Sequence, residues 1–449
     1  MKKLENKLIV MRIGFLNICH EDYLGDTVFT VADIALKGLK DRGVELVLPE
    51  ETACNCDAAK NAGIFFASQN LDGVILFLGS WMECSVALAA IREIEHLPVC
   101  LWGFPMFERD GKLESTGSYV SFSMFSGTMR RAGYTFFFVM GMPDDSATVN
   151  IVADFCTAAA TKTLLRRSRV GLVGYTSMCI LPGTFDHLFM RTIIGPEIVQ
   201  SDSYTLINKA LHADRSAIES AVKLIRRSGR VCGDVSQEDL EKAAGIFCAI
   251  KETVDEFDLD AINIKCQYEF SKEYKMVPCV PLSVLADNGT VAGCEGDIPC
   301  TVSQLILHYL TGQVVTYGDA INHTGNIVKF SSCGMLPPSL GCGDQMIRKF
   351  LPHPGFSGIQ MSYVMRPKRV TFMRLVEDVG AYHFLYGTGM GLPTELRQGY
   401  MPVLDVKLDG DVNELVKNYS GQHFALCYGD ASSKIDSLAQ ALNIKCVRI

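Results

Sequence analysis

The chain has 449 residues, 48% of them hydrophobic and 20% charged, and 42 basic against 50 acidic side chains leave a formal net charge of −8. That is the composition of a compact folded protein with material for two to four domains, not of a disordered chain. It excludes a nucleic-acid binder, since no basic stretch is longer than the one around Arg166, Arg167 and Arg169, and a membrane protein, since no apolar run approaches the ~20 residues of a spanning helix.

The first segment, Met1-Lys2-Lys3 and then Leu8–Ile18, is broken by Arg12 and Asn17 and reads as a strand, not a signal peptide. Arg12–Ile18 is a continuous apolar run, as in a parallel strand buried on both faces. Thr27–Arg42 is then helical, Val44–Leu48 a strand, Asn61–Asn70 a helix, Leu71–Leu78 a strand, Cys84–Glu95 a helix and Pro98–Leu101 a strand. Strands alternating with helices of this length predict an α/β domain over 1–160 with a parallel sheet. No GxGxxG follows the first strand, so a dinucleotide site is unsupported. In such sheets ligands bind outside the carboxyl ends of the strands. Both tryptophans, Trp81 and Trp102, are expected at that edge as a binding wall, and His20 follows the first strand there as a substrate candidate.

Near Thr161 the pattern restarts. Arg169–Val173 (RVGLV) echoes Arg12–Leu16 (RIGFL), and Leu259–Ile262 echoes Leu71–Val74, so 161–315 reads as a second α/β domain entered through the helix Ala147–Leu165. The loop carrying Gln267 is then the counterpart of the one carrying Trp81, and helices Ala217–Arg227 and Gln237–Phe257 form an outer layer.

The stretch 291–320 places acids with care. Val302, Leu305, Ile306, Tyr309 and Leu310 repeat at helical spacing, with Asp297 and Pro299 at the start and Gly312 at the stop. Gln313–Tyr317 reads as a strand with Gly318-Asp319 at its end. A loop–helix–strand unit returns the chain near its origin, so Glu295 and Asp319 are placed to face one pocket. Two such carboxylates suit a hard divalent cation or shared acid–base work. Asp297 reads as an N-cap.

After Asp319, short strands at Ile327–Phe330, Val370–Leu375, Tyr382–Tyr386, Met401–Leu408 and His423–Tyr428 alternate with Gly- and Pro-rich turns. They predict a β-barrel-like or sandwich domain over 316–449, closed by a helix at Ser432–Ala441. Of nine histidines, His96, His212 and His308 read as surface residues. His323, His353 and His383 cannot be ranked. His423 opens a strand after a polar turn, where a side chain can point into a cavity or simply pack. Seventeen cysteines with no CxxC fit neither a disulfide framework nor a zinc site. Several, including Cys19, Cys100, Cys179, Cys266 and Cys427, read as small hydrophobes, as in a reducing cytoplasm.

The order of these motifs, GCEGDIPCTVSQLILHYLTG, then YGDA, then GQHFALCYGD, resembles the L-fucose/L-arabinose isomerase family. The resemblance implies two Rossmann-like domains followed by a β domain. It implies a divalent metal, usually manganese, held at Glu295, Asp319 and His423, with the two carboxylates also serving as acid and base in an aldose–ketose isomerisation through an enediol. It implies a substrate wall that includes Trp81 from a neighbouring subunit of a homo-oligomer, a hexamer in that family, and contacts to sugar hydroxyls from Gln267, Ser332 and Gln422. The first strand ends in Asn17–His20 where L-fucose isomerases place an arginine, so L-fucose, D-arabinose, other deoxysugars and sulfoquinovose all stay open as substrates. A non-catalytic sugar-binding protein and a metal-dependent sugar lyase or epimerase are the competing readings.

Overall fold

The computed structural model describes residues 10–351, 356–397 and 399–449. The expectations for Met1-Lys2-Lys3, Leu8, Ile9 and His353 lie outside them. The chain divides into two compact units, one ending at Leu164 and taking in Ser433–Ile444, the other spanning Leu165–Ser432 with Lys445–Ile449. No helix among the described residues is long and apolar enough to cross a membrane.

In the first unit, β1 (Met11–Ile18), β2 (Val44–Val47), β3 (Gly73–Leu78), β4 (Val99–Gly103) and β5 (Phe137–Met140) form a parallel sheet in the order β2-β1-β3-β4-β5. Strand β3, GVILFL, is buried at every position, as expected of a central parallel strand covered on both faces. Helices α1 (Asp26–Lys40), α2 (Cys56–Ser68), α3 (Cys84–Ile91), α4 (Ser118–Arg131) and α5 (Ser146–Arg167) supply the covering layers. Two apolar clusters result, one holding Leu16, Phe66 and Leu76, the other Phe15, Phe77 and Phe155. Trp102 belongs to the second cluster. It lies within β4, fully buried, and its indole N–H donates to the carbonyl of Gly141 at 3.0 Å. The expectation that it walls a binding site is therefore overturned: inside a strand covered on both faces its ring can only be core.

In the second unit, β6 (Arg169–Val173), β7 (Glu197–Ser201), β8 (Ala261–Ile264) and β9 (Val291–Cys294) form a parallel sheet in the order β9-β8-β6-β7. Helices α6 (Ser203–Leu211), α7 (Arg215–Arg227), α8 (Gln237–Phe257) and α9 (Cys279–Asp287) belong with this sheet. Helix α10 (Ile298–Thr311) is the pivot. It is buried from Ile298 to Leu307 without a break, and it packs on β8 and β9 as well as on the C-terminal strands. That dual burial explains why the helix carries no charged side chain. His308, near its end, is half-buried with Nδ1 2.7 Å from the Gln313 carbonyl, and is not a free surface group.

The remaining strands are β10 (Thr316–Thr324), β11 (Ile327–Ser331), β12 (Gly341–Lys349), β13 (Ile359–Met365), β14 (Arg369–Asp378), β15 (Ala381–Leu392), β16 (Val403–Leu408), β17 (His423–Tyr428) and β18 (Lys445–Arg448). With the two-residue strand Arg230–Val231 at one edge they make a ten-stranded mixed sheet, continuing β12-β13-β16-β11-β10-β17-β14-β15-β18. β15 also pairs with β16, so the order β16-β11-β10-β17-β14-β15 returns to its first strand. This large mixed sheet stands where a barrel-like β domain was expected. One apolar cluster joins residues of the four-stranded sheet, such as Ile262 and Ile264, to Phe330, Phe372 and Phe424 of the mixed sheet.

Candidate active site

The site begins where β8 and β9 end side by side, Ile264 opposite Cys294. Beyond Cys294 the chain reverses through two left-handed residues, Glu295 (φ 66°) and Gly296 (φ 72°). Gly296 admits no side chain, because a Cβ would meet the Tyr175 carbonyl oxygen at 2.3 Å. Glu295 pays roughly 1–3 kcal/mol for this conformation, which persists because the surroundings fix it. Its N–H donates to Ile264 O at 3.0 Å and its carbonyl accepts from Ser177 N–H at 2.9 Å. Asn263 braces the turn from beneath. Its amide donates to Cys294 O, Asp297 O and Thr301 Oγ1, and its carbonyl accepts from Gly296 N–H at 2.7 Å.

Asp297 then caps α10, accepting from Cys300 N–H at 2.9 Å, as the sequence predicts. It does more than that. Arg374 Nη1 donates to its Oδ2 at 2.9 Å, and His423 Nδ1 lies 2.8 Å from the same oxygen. Arg374, fully buried in the apolar strand β14, also donates to the carbonyls of His423 (2.9 Å), Pro182 (2.6 Å) and Ser420 (3.2 Å).

The other nitrogen of His423, Nε2, faces the two predicted acids. It lies 3.2 Å from Asp319 Oδ1 and 3.4 Å from Glu295 Oε2. Asp319 does not sit at a strand end, as expected, but inside β10, directly opposite His423 of β17 and Ser331 of β11. The strand runs on past it because Asn322, His323 and Thr324, though exposed, continue to pair with β11 beyond a bulge between Ala320 and Asn322. Cys333 Sγ donates to Glu295 Oε1 at 3.0 Å.

Burial opposes charge on each of these groups, and the neighbours reverse that opposition. The Asp297 carboxyl is driven far below the usual carboxylate range by Arg374 and then His423, against burial that would raise it. Glu295 is likewise raised by burial but brought below its ordinary value by His423, Cys333 and Gln267. Burial pulls the His423 imidazole down, and Asp297, Asp319 and Glu295 together hold it well above its ordinary value.

Two carboxylates and an imidazole are donor types that a divalent cation takes. Asp297 and Arg374 cancel, which leaves Glu295 and Asp319 as two anionic groups beside one imidazole nitrogen. Although both carboxylates lie within 3.4 Å of Nε2, it is a buried atom without a hydrogen-bond partner. Separations of about 3 Å between ligand atoms accompany metal–ligand bonds of about 2.1 Å. Among the described residues, however, no group of three or more His, Cys, Asp or Glu side chains is arranged so that it could hold a metal ion. The close contacts run from each carboxylate to the imidazole.

Of the remaining predicted residues, Gln267 is buried, and neither atom of its amide has a hydrogen-bond partner. It stands close enough to Glu295 to depress its carboxyl, yet outside hydrogen-bond geometry. Ser332 is buried and its hydroxyl donates to Met335 O at 2.5 Å, so it is already engaged. The Gln422 carbonyl accepts from Ala320 N–H at 2.9 Å beside His423. His20 and Trp81 belong to the other unit, where they form a pair with ring centres 5.4 Å apart. Asn263, Asp297, Arg374 and Cys333 are the residues that sequence reasoning missed. A lone arginine in the apolar strand VTFMRLV was the signal for one of them.

No family model matches the chain. Curated relatives do. It is 24% identical over 424 residues to the sulfoquinovose isomerase of Priestia aryabhattai, covering 92% of this chain and 93% of the relative. Sulfoquinovose isomerases of Alkalicoccus urumqiensis (23%, 79% of this chain, 81% of the relative) and Clostridium sp. (strain MSTE9) (24%, likewise 79% and 81%) align with it too. These relatives support an isomerase. A solved galactofuranose-binding protein covers 68% of this chain and 90% of its own at 10% identity, but its TM-score of 0.19 carries no argument.

Proposed function

We propose that this isomerase interconverts a sugar aldose and its 2-ketose, as the resemblance to L-fucose/L-arabinose isomerases implies, with sulfoquinovose as the first substrate to test because four curated relatives carry that name. The observation that carries the reading is the approach of Glu295 and Asp319 to Nε2 of a buried histidine whose other nitrogen is already held by a third carboxylate. Glu295, Asp319 and His423 would hold a divalent cation such as Mn²⁺. When bound, that cation would polarise the sugar oxygens at C1 and C2 and so acidify the C2–H, typically worth several kcal/mol.

The chain's own groups supply the rest. The proton leaves C2 of the open-chain aldose for one of the two carboxylates and returns at C1, while the hydroxyl proton passes from O2 to O1, so composition is conserved. Asn263 and the left-handed turn hold Glu295 at its station, and the Cys333 thiol occupies one carboxylate oxygen, leaving the other turned toward His423. Gln267, with an unused buried amide, is available for a sugar hydroxyl. Trp81 and His20 are proposed to wall the sugar in a homo-oligomer whose subunits share sites.

Incubation of the full chain with sulfoquinovose, L-fucose or D-arabinose in D₂O, with Mn²⁺ or with EDTA, tests this. A ketose bearing deuterium at C1, formed only with the cation and lost in Glu295→Gln, is expected. No turnover under either condition would favour a sugar-binding protein, and an inverted centre or cleaved skeleton would favour an epimerase or lyase.

A further inference from the structure

The candidate ligands leave one ionised pair unexplained. Asp297 and Arg374 are each about 1% exposed at their side chains. Desolving such a pair costs several kcal/mol per ion, and well-packed apolar residues often replace one without loss of stability. Capping α10 does not require it, since one oxygen of Asp297 meets Cys300 N–H and a neutral Asn or Ser caps as well.

The other oxygen points elsewhere. Asp297 Oδ2 meets both Arg374 Nη1 and His423 Nδ1, and the same Nη1 grips the backbone carbonyl of His423. The histidine is thus held at its ring nitrogen and at its main chain by one clamp, while the ring of Tyr317 meets it edge-on at 5.2 Å and 88°. Pro182 and Ser420 carbonyls and the bare Cα of Gly421 fix the guanidinium in turn. An acceptor-only carboxylate at Nδ1 obliges that nitrogen to carry the hydrogen. A neutral ring then presents its lone pair from Nε2, on the side where Glu295 and Asp319 stand.

We propose that Asp297, clamped by Arg374, is the positioning residue that fixes the tautomer and orientation of His423 and so sets how tightly the site takes a divalent cation. The inference rests on Glu295, Asp319 and His423 being the cation ligands, and the measurement separates the two. Free Mn²⁺ is counted by electron paramagnetic resonance during titration of the metal-stripped full chain and of Asp297→Asn, Arg374→Lys and Glu295→Gln. Thermal melts without metal confirm that each variant is folded. Asp297→Asn is expected to weaken Mn²⁺ binding about 10- to 100-fold, and Arg374→Lys to weaken it in the same direction. A purely structural role would lower the melting temperature and leave the affinity of the folded protein unchanged. Wild-type affinity in Asp297→Asn, with Glu295→Gln weakened, overturns the proposal alone. No binding by the wild type, or full binding by Glu295→Gln, overturns the ligand reading beneath it. Should the Asp297 and Arg374 variants not fold, ¹⁵N-histidine spectra of the Mg²⁺-loaded wild type decide. Hydrogen on Nδ1 of His423 is expected, and hydrogen on Nε2 contradicts the clamp.

Discussion

Arg374 stands in a strand whose neighbours Phe372, Met373 and Leu375 are wholly buried, and the room for its guanidinium comes from a missing side chain. A Cβ at Gly421 (φ 147°) would sit 2.6 Å from Arg374 Cζ. Gly421→Ala is therefore expected to destabilise the protein by about 2–4 kcal/mol, read as a lower denaturation midpoint at unchanged m-value. A loss within experimental error would mean that the guanidinium can move aside. Trp102 makes the opposite point. Trp102→Phe removes an indole hydrogen bond and some packed volume from the core, expected to cost about 1–3 kcal/mol, while leaving sugar affinity in isothermal titration unchanged. At this scale Glu295 and Asp319 drew notice from the sequence as acids at element ends in a sparsely charged stretch, whereas His423 joined them only through the family resemblance. Asp297 was hidden because capping already accounts for an aspartate before a helix. Asn263 was hidden because a strand amide whose partners lie more than thirty residues away leaves no local trace.

At the scale of elements, α8 shows how a local signal becomes stability. Ser236 and Asp239 form a reciprocal capping box: Asp239 N–H donates to Ser236 Oγ at 3.1 Å, and Ser236 N–H donates to Asp239 Oδ2 at 2.8 Å. Lys349 adds an ion pair at 3.1 Å. Burial raises the Asp239 carboxyl, but the Ser236 contacts and Lys349 outweigh it and leave the group below its ordinary value. A carboxyl depressed on folding contributes stability that is present above the unfolded value of about 4 and is lost as pH falls through the folded one. Melts from pH 6 to pH 3 should therefore show a fall that is shallower in Ser236→Ala, which at pH 6 already costs about 1 kcal/mol. Parallel slopes would show that the box does not sense the titration. Helices and buried parallel strands were legible because periodicity and continuous apolar runs are local. β12 and β13 were not, since GCGDQMIRK is half-polar and IQMSYVM is read as a strand only once its partners are known. The register that sets Asp319 against His423 is likewise a property of pairing between distant segments.

The molecule as a whole has separate apolar clusters for its two units, and every candidate cation ligand lies in the unit Leu165–Ser432. A cation bound only by the folded form stabilises what it binds by mass action, about 2.7 kcal/mol at a hundred times its dissociation constant. That gain should register where the ligands are anchored, on β8, β9, β10 and β17, which meet around α10. Hydrogen exchange with and without Mn²⁺ tests this. Amides of 261–264, 291–294, 316–324 and 423–428 are expected to slow in proportion to the logarithm of free Mn²⁺, those of the five-stranded sheet carrying Trp81 and His20 to stay as they are, and EDTA to restore the faster rates. Equal slowing of both sheets would show that the units open together, because a ligand confined to one can protect the other only if neither unfolds alone.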